Sequence, residues 1–245
     1  MEKIALISDI HGNSYALNEV LNDINARNVD AVINLGDSLY GPLDPVGTYR
    51  LIRNADARSI RGNQDRVILD FLEEPSDYPT LEYVKTLLTK EITDWLKALD
   101  FDCIIDENLY CCHATPQSDS KYLSEALNDG YVGIKSIEEI DQIVKDIPQP
   151  VIACGHSHLP RNISVTGKRI INPGSVGLPA YDDDLPVYHK MENYSPAARY
   201  AILQTSGESI TVNQIAVEYD HEAAAQQAEK NNRPDWAKWI RTGRV

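Results

Sequence analysis

Five short segments of this chain present side chains able to bind a metal ion, each just after a strand-like apolar run: Asp9-Ile10-His11, Gly36-Asp37, Gly62-Asn63, His113 and Gly155-His156-Ser157-His158. Carboxylates, a carboxamide and imidazoles mixed in this way suit borderline divalent ions such as manganese, iron or zinc. Their ordered appearance points to a two-metal hydrolase, in which paired cations make a nucleophile of water and stabilise charge building on the substrate. Four core histidines arriving by chance at strand ends, beside glycine or acidic neighbours, is the weaker account of such an ordered set.

The elements between these segments have the patterns needed to position them. Residues 3–7 form the short apolar run of a strand buried on both faces, and residues 13–26 follow with Ala16, Leu17, Val20, Leu21 and Ile24 on one helical stripe. A strand, a donor-bearing turn and a helix thus come in sequence. The unit recurs as a strand over 31–35 entering Gly36-Asp37, then as a helix ending at 51–55, a strand over 57–60 and the turn Gly62-Asn63. Such turns gather at the carboxyl edge of an open α/β sheet, where ligands bind.

Residues 65–100 read as a helical excursion, broken by Pro75 and Pro79. Strands are expected over 103–105 and 109–112, the second running into His113, with a helix over 134–147 and a strand over 151–154. Hairpins are expected over 162–171 around Thr166-Gly167 and over 200–217 around Ser206-Gly207. Residues 180–198 read as a long irregular insertion, and 220–245 as a helical tail interrupted by Pro234.

With 245 residues and 42% hydrophobic content, a single domain over 1–245 is expected. The first apolar run, Ile4 to Ile7, is too short for a signal peptide, and no stretch reaches the ~18 apolar residues of a membrane span. A cytoplasmic protein that engages no membrane is therefore the expectation. Cys103, Cys111, Cys112 and Cys154 lie in apolar runs without C-x-x-C spacing, as reduced core thiols do, and the adjacent Cys111 and Cys112 should point to opposite faces of a strand. Against 23 basic residues stand 37 acidic ones, a net charge of −14 that opposes binding to bulk nucleic acid. Cations held by Asp9 and Asp37 would neutralise part of that charge, so a small phosphorylated ligand stays compatible. A homo-oligomer is left open.

Together, Asp9-x-His11, Gly36-Asp37 with Gly41 four residues beyond, Gly62-Asn63-Gln64-Asp65, His113 and Gly155-His156-x-His158 resemble the motifs of the calcineurin-like metallophosphoesterase family, over residues 4 to about 205. The stretches Gly36-Asp37-Ser38-Leu39-Tyr40-Gly41-Pro42 and Asn172-Pro173-Gly174-Ser175-Val176-Gly177 resemble its bacterial and archaeal branch of small, YfcE-like phosphoesterases. The resemblance implies an α/β fold, a four-layer α/β/β/α sandwich of two mixed sheets flanked by helices. It implies two divalent ions, manganese foremost, with iron, zinc, nickel or cobalt as alternatives. Asp9, His11, Asp37 and His158 would hold one ion and Asp37, Asn63, His113 and His156 the other, with Asp37 as the anionic bridge that two close cations need.

The activity implied is hydrolysis of phosphate mono- or diesters by attack of a metal-bridging hydroxide, without a covalent intermediate. Asp37, Asn63, Gln64 and Asp65 would be the catalytic set, and Asn63, Gln64, Arg66 and Tyr40 would contact the substrate. One departure matters: many members of the family carry a histidine directly after the motif asparagine, where this chain has Gln64. A carboxamide can donate a hydrogen bond but cannot serve as a general acid near neutral pH, so good leaving groups such as aryl esters, anhydrides or activated diesters should be favoured.

Plainer readings stand beside these. Asp65 either orients a ligand histidine or caps the following helix, and Arg66 either clamps a phosphate or sits on a helix surface. His189 and His221 are expected at the surface or at caps, and Asp182-Asp183-Asp184 in a solvated loop. The insertion over 180–198 has the length of a lid or binding loop, and Tyr40 and Tyr181 could line a groove beside the metals. Asn172 to Ser175 should shape the backbone rather than supply a nucleophile, since the histidines that might serve Ser175 are claimed by metal. The same fold would also suit a protein serine/threonine phosphatase or a dinucleoside-polyphosphate hydrolase. A non-enzymatic alternative is a metal-binding scaffold for protein interaction, which some relatives become by losing ligands, whereas this chain keeps all seven.

Overall fold

The computed structural model describes residues 2–128, 130–206 and 209–245. Its layering follows from the alternation in β1 (Glu2–Ile7): Ile4 and Leu6 face one way, Ala5 and Ile7 the other, and all four are buried. Side chains with a period of two must divide in this way when both faces of a strand are covered. β1 pairs in parallel with β2 (Ala31–Asn34), which pairs in parallel with β3 (Arg58–Ser59). On its other side β1 runs antiparallel to β13 (Ala198–Ser206), and β13 antiparallel to β14 (Ser209–Val217). This mixed sheet has the order β14-β13-β1-β2-β3.

The second sheet is built from β4 (Asp102–Ile104), β5 (Leu109–Cys112), β8 (Val151–Ala153), β9 (Arg161–Val165) and β10 (Lys168–Asn172), in the order β4-β5-β8-β10-β9. Its three central strands are parallel and its two outer ones antiparallel. The sheets pack face to face, with Ile4, Leu6, Ile33 and Leu203 against Leu109, Cys111, Val151 and Ile171. Helices α1 (Ser14–Ala26), α2 (Pro45–Asn54), α7 (His221–Lys230) and α8 (Pro234–Thr242) cover the outer face of the first sheet. Helix α6 (Ile137–Val144) covers that of the second, setting Ile140 and Val144 on Tyr110, Cys112 and Ile152. The four-layer α/β/β/α sandwich is therefore present. Cys111 lies between the sheets and Cys112 beneath α6, and all four cysteines are buried and free.

The helical excursion is α3 (Asn63–Asp70), α4 (Pro79–Leu87) and α5 (Lys90–Lys97), packed on a cluster that includes Leu39, Ile68, Leu81, Val84 and Leu96. Pro79 and Pro234 each begin a helix, where the missing amide hydrogen costs nothing. No helix among the described residues is long and apolar enough to cross a membrane.

Two expectations need correction. The helix expected from residue 134 starts at Ile137, because Ser136 and Glu139 form a reciprocal capping box there. Ile134 instead ends a hairpin, β6 (Glu125–Asn128) with β7 (Tyr131–Ile134). The insertion over 180–198 is not irregular: it holds the hairpin β11 (Ala180–Asp183) with β12 (His189–Glu192), anchored by the buried Ala180, His189 and Met191. The hairpin at 162–171 forms as expected, as does the β13–β14 pairing, but the tip expected at Gly207 lies outside the described residues.

Candidate metal centre

The backbone announces the site before the side chains do. Asp9, His11, Asp37, His156 and His158 have φ of 53°, 52°, 53°, 65° and 59°. Left-handed conformations are uncommon for residues with a Cβ and cost on the order of 1–3 kcal/mol each, so they persist where the surroundings enforce them. Here the turns brace one another: Asp9 N donates to Gly36 O at 3.0 Å, His11 N to Asp37 O at 3.0 Å and Gly155 N to His113 O at 2.7 Å. His156 N donates to the Asp9 carboxylate at 3.1 Å, joining the two sheets. The turns approach so closely that a Cβ on Gly62 would lie 2.1 Å from Asp37 Oδ1.

These constraints gather the expected ligands into two groups, Asp9 with His11 and His158, and Asp37 with His113 and His156, the potential donor atoms of each group lying within 4.8 Å of one another. In the first, His11 Nε2 lies 3.0 Å from His158 Nε2, which is 3.4 Å from Asp9 Oδ1. In the second, His113 Nε2 is 3.0 Å from Asn63 Oδ1 and 3.5 Å from Asp37 Oδ2. The Nδ1 atoms of His11, His113 and His158 each meet a backbone carbonyl, of Tyr40 at 2.9 Å, Leu35 at 2.8 Å and Leu178 at 2.7 Å. Only an N–H can donate to a carbonyl, so Nδ1 of each ring carries a proton, and in the neutral ring Nε2 offers a lone pair. At 3.0 Å the two Nε2 atoms of His11 and His158 need a proton or a metal cation between them, and the donor set fits a borderline divalent ion.

The electrostatics carry the same message. Burial, with the neighbouring imidazoles, lowers His11 and His156 to about 4. Burial also opposes charge on His113, yet the charge and hydrogen bond of Asp37 outweigh it and raise His113 to about 10. Asp37 is correspondingly held well below the carboxylate range, against the opposing effect of its burial. Positive charge is thus favoured on His113 beside Asp37, and a metal cation held there would supply the same charge.

The remaining expected residues separate. Gln64 donates its backbone N–H to Asp37 Oδ1 at 2.8 Å, and its side chain lines a cavity of about 460 Å³ above the ligands with Oε1 unpartnered. Tyr40 and Tyr181 line the same cavity. Asp65 accepts from Gly62 N and Ser38 N, both at 3.0 Å, so it holds the backbone of the second and third turns and caps α3. Burial and the Asp37 charge raise its carboxyl to about 6. Arg66 does not reach the cavity: its guanidinium pairs with Asp119 at 2.6 Å and Asp70 at 2.9 Å. Ser175 accepts from Leu178 N and donates to Asp9 O, the backbone-shaping part expected of it.

Other residues at the site escaped the sequence. His189 is buried, not at the surface, with Nε2 2.9 Å from Tyr122 OH. Tyr122 stacks on His156 at 4.7 Å, Tyr181 meets His158 edge-on at 4.5 Å, and Trp236 meets His11 edge-on at 5.7 Å. No local pattern marks Tyr122 or Trp236, since each reaches its histidine from a distant element, whereas Tyr181 is where the sequence placed it, beside the ligands.

The fold and the paired ligand groups define a class. The chain belongs to the calcineurin-like phosphoesterase superfamily, whose domain matches residues 2–195. It is 30% identical over 264 residues to an uncharacterised protein of Methanocaldococcus jannaschii, covering 95% of this chain and 94% of that one. Among solved structures it is similar to a metallophosphoesterase from Sphaerobacter thermophilus, with a TM-score of 0.78 at 23% identity, and to a hypothetical protein from Pyrococcus horikoshii, with 0.76 at 20% identity. Each of these alignments covers 99% of both chains.

Proposed function

We propose that this protein hydrolyses small phosphate esters with two divalent ions, manganese being the metal to test first. The observation that carries the proposal is the pair of opposed Nε2 atoms of His11 and His158, in one ligand group, beside a second group centred on Asp37, both beneath one cavity. Bound there, the ions would acidify a water and neutralise charge on the phosphoryl group. The protein's own part is positional. Asp37, with Oδ1 accepting from the Gln64 amide and Oδ2 3.5 Å from His113, would be the ligand shared between the ions. Gln64 lines the cavity, where its carboxamide is suited to hold a phosphoryl oxygen. Asp65 and Ser175 keep the donor-bearing turns in register. Four buried, free cysteines support a cytoplasmic setting.

A second reading has its own observation. A cavity of about 830 Å³ shares Asn63, Tyr122 and His156 with the first, so two lobes meet at the ligands. That arrangement favours diesters or dinucleoside polyphosphates, which place an organic group on each side of the reacting phosphorus. The deciding measurement is a hydrolysis screen of metal-stripped and manganese-restored protein, covering aryl monoesters, aryl diesters, dinucleoside polyphosphates and phosphopeptides. Hydrolysis lost on stripping and restored by manganese supports the proposal; hydrolysis that persists under complete chelation refutes it.

A further inference from the structure

The cavity over the metal ligands has a wall that lies beyond the family match. The match ends at residue 195, whereas Arg233, Trp236 and Trp239 come from the start of α8 and the turn before it. This wall is fixed in place. Asn231 donates to Pro42 O at 2.7 Å, Arg233 pairs with both oxygens of Asp235 at 2.9 and 2.6 Å and reaches Thr80, and its guanidinium lies 5.4 Å from the Trp236 ring. Trp236 in turn touches His11 edge-on, so the tail is built onto a metal ligand. Tyr40 and Tyr78 also line the cavity, Tyr78 standing 64% exposed.

The charges on this lobe are as telling as its rings. Arg233, the one arginine or lysine lining it among the described residues, is already committed to Asp235, and the other charged liners away from the ligands are Asp182 and Asp183. A second phosphate would meet carboxylates here and no uncommitted cation. A planar group would meet aromatic side chains, against which it can stack.

We propose that the C-terminal tail and Tyr78 form a subsite for an uncharged, planar aromatic group of the phosphate ester, an aryl or nucleobase moiety, and so set the substrate class. This rests on reading the metal centre as a phosphate-ester site, and calorimetric titration separates the two claims. Phenylphosphonate and methylphosphonate carry the same anionic head and no leaving group, so binding to the manganese-loaded full-length protein compares the organic groups alone. Phenylphosphonate should bind about tenfold more tightly, about 1.4 kcal/mol. The preference should fall below about threefold in Tyr78→Ala, an exposed position that the fold does not depend on, and in Trp239→Leu. If neither phosphonate binds, the phosphate-site reading fails. If both bind equally to the native protein, or the preference survives both substitutions, the subsite alone is overturned.

Discussion

His11 Nε2 and His158 Nε2 face each other at 3.0 Å across 147 residues of sequence, each with its proton committed on the far side of the ring. With both rings neutral the fold would hold two lone pairs together, which a metal cation would relieve, so the metal should be a stabilising ligand as well as a catalytic one.

Manganese at a hundred times its dissociation constant adds about 2.7 kcal/mol per site, and a domain of this size gains roughly 2–4 °C in Tm per kcal/mol. With both sites filled, a rise of about 10–20 °C over the chelated protein is expected in a thermal melt. His11→Ala should lose about half of it, because one ligand group is broken and the other kept. Identical melting curves with chelator and with manganese would remove the basis for a metal site here.

Gly62 tests whether site geometry, and not the mere presence of ligands, sets activity. Its φ of −86° suits any residue, so Gly62→Ala introduces no backbone strain. The added Cβ would lie 2.1 Å from Asp37 Oδ1 and 2.3 Å from Asp37 N, where something must move. Overpacking of this kind costs typically 1–3 kcal/mol. Tm should fall by about 5 °C and kcat/KM by more than tenfold, the second through displacement of Asp37. Wild-type kinetics in a folded Gly62→Ala protein would mean that Asp37 does not depend on this contact.

The gathering of the candidate donors was legible in the sequence because each follows its strand within a few residues, and a strand–turn–helix pattern is local. The layering was legible for the same reason, down to Cys111 and Cys112 on opposite faces. What escaped depends on contacts between distant segments. Ile134 shares helical spacing with Ile137, Ile140 and Val144, and only the Ser136–Glu139 capping box shows where the helix begins. In β11 and β12 the acidic run Asp182 to Asp184 hides an alternation whose buried members, Ala180 and Met191, lie on different strands. His189 looks solitary until Tyr122, 67 residues away, closes on it. Trp236 and Trp239 have the spacing of core residues on an amphipathic helix, and nothing local places them beside His11.

The metal-free protein should have a stability maximum near pH 6.5. Imidazoles in the unfolded chain titrate near that value, whereas His11 and His156 titrate at about 4 in the folded protein. As pH falls from 6.5 towards 4 the unfolded chain takes up protons that the folded chain refuses, and stability is lost. His113, raised to about 10, acts in the opposite sense: its contribution is complete below 6.5 and disappears as pH climbs towards 10. Manganese should abolish the alkaline loss, since a cation then takes the place of the His113 proton. Thermal melts across pH 5–9, with chelator and with manganese, test this. A chelated protein with a flat profile between pH 6.5 and 9 would contradict it.

Gln64 governs how the leaving group is treated. Its side chain faces the cavity from the first turn of α3, beside Asn63, and its backbone amide already serves Asp37. A carboxamide at this point can hold a phosphoryl oxygen or a water, but it has no proton to give an alkoxide near neutral pH. Rates on a series of substituted phenyl esters should therefore fall steeply as the leaving-group pKa rises. Gln64→His restores a proton donor without disturbing the backbone N–H to Asp37. General acid catalysis contributes typically 10²–10⁴-fold, so the slope should flatten and the poorest leaving groups gain at least about tenfold, with little change for 4-nitrophenyl esters. Parallel slopes for the native protein and Gln64→His would show that the leaving group receives its proton from elsewhere, with Tyr122, which lines both cavities, the next residue to substitute.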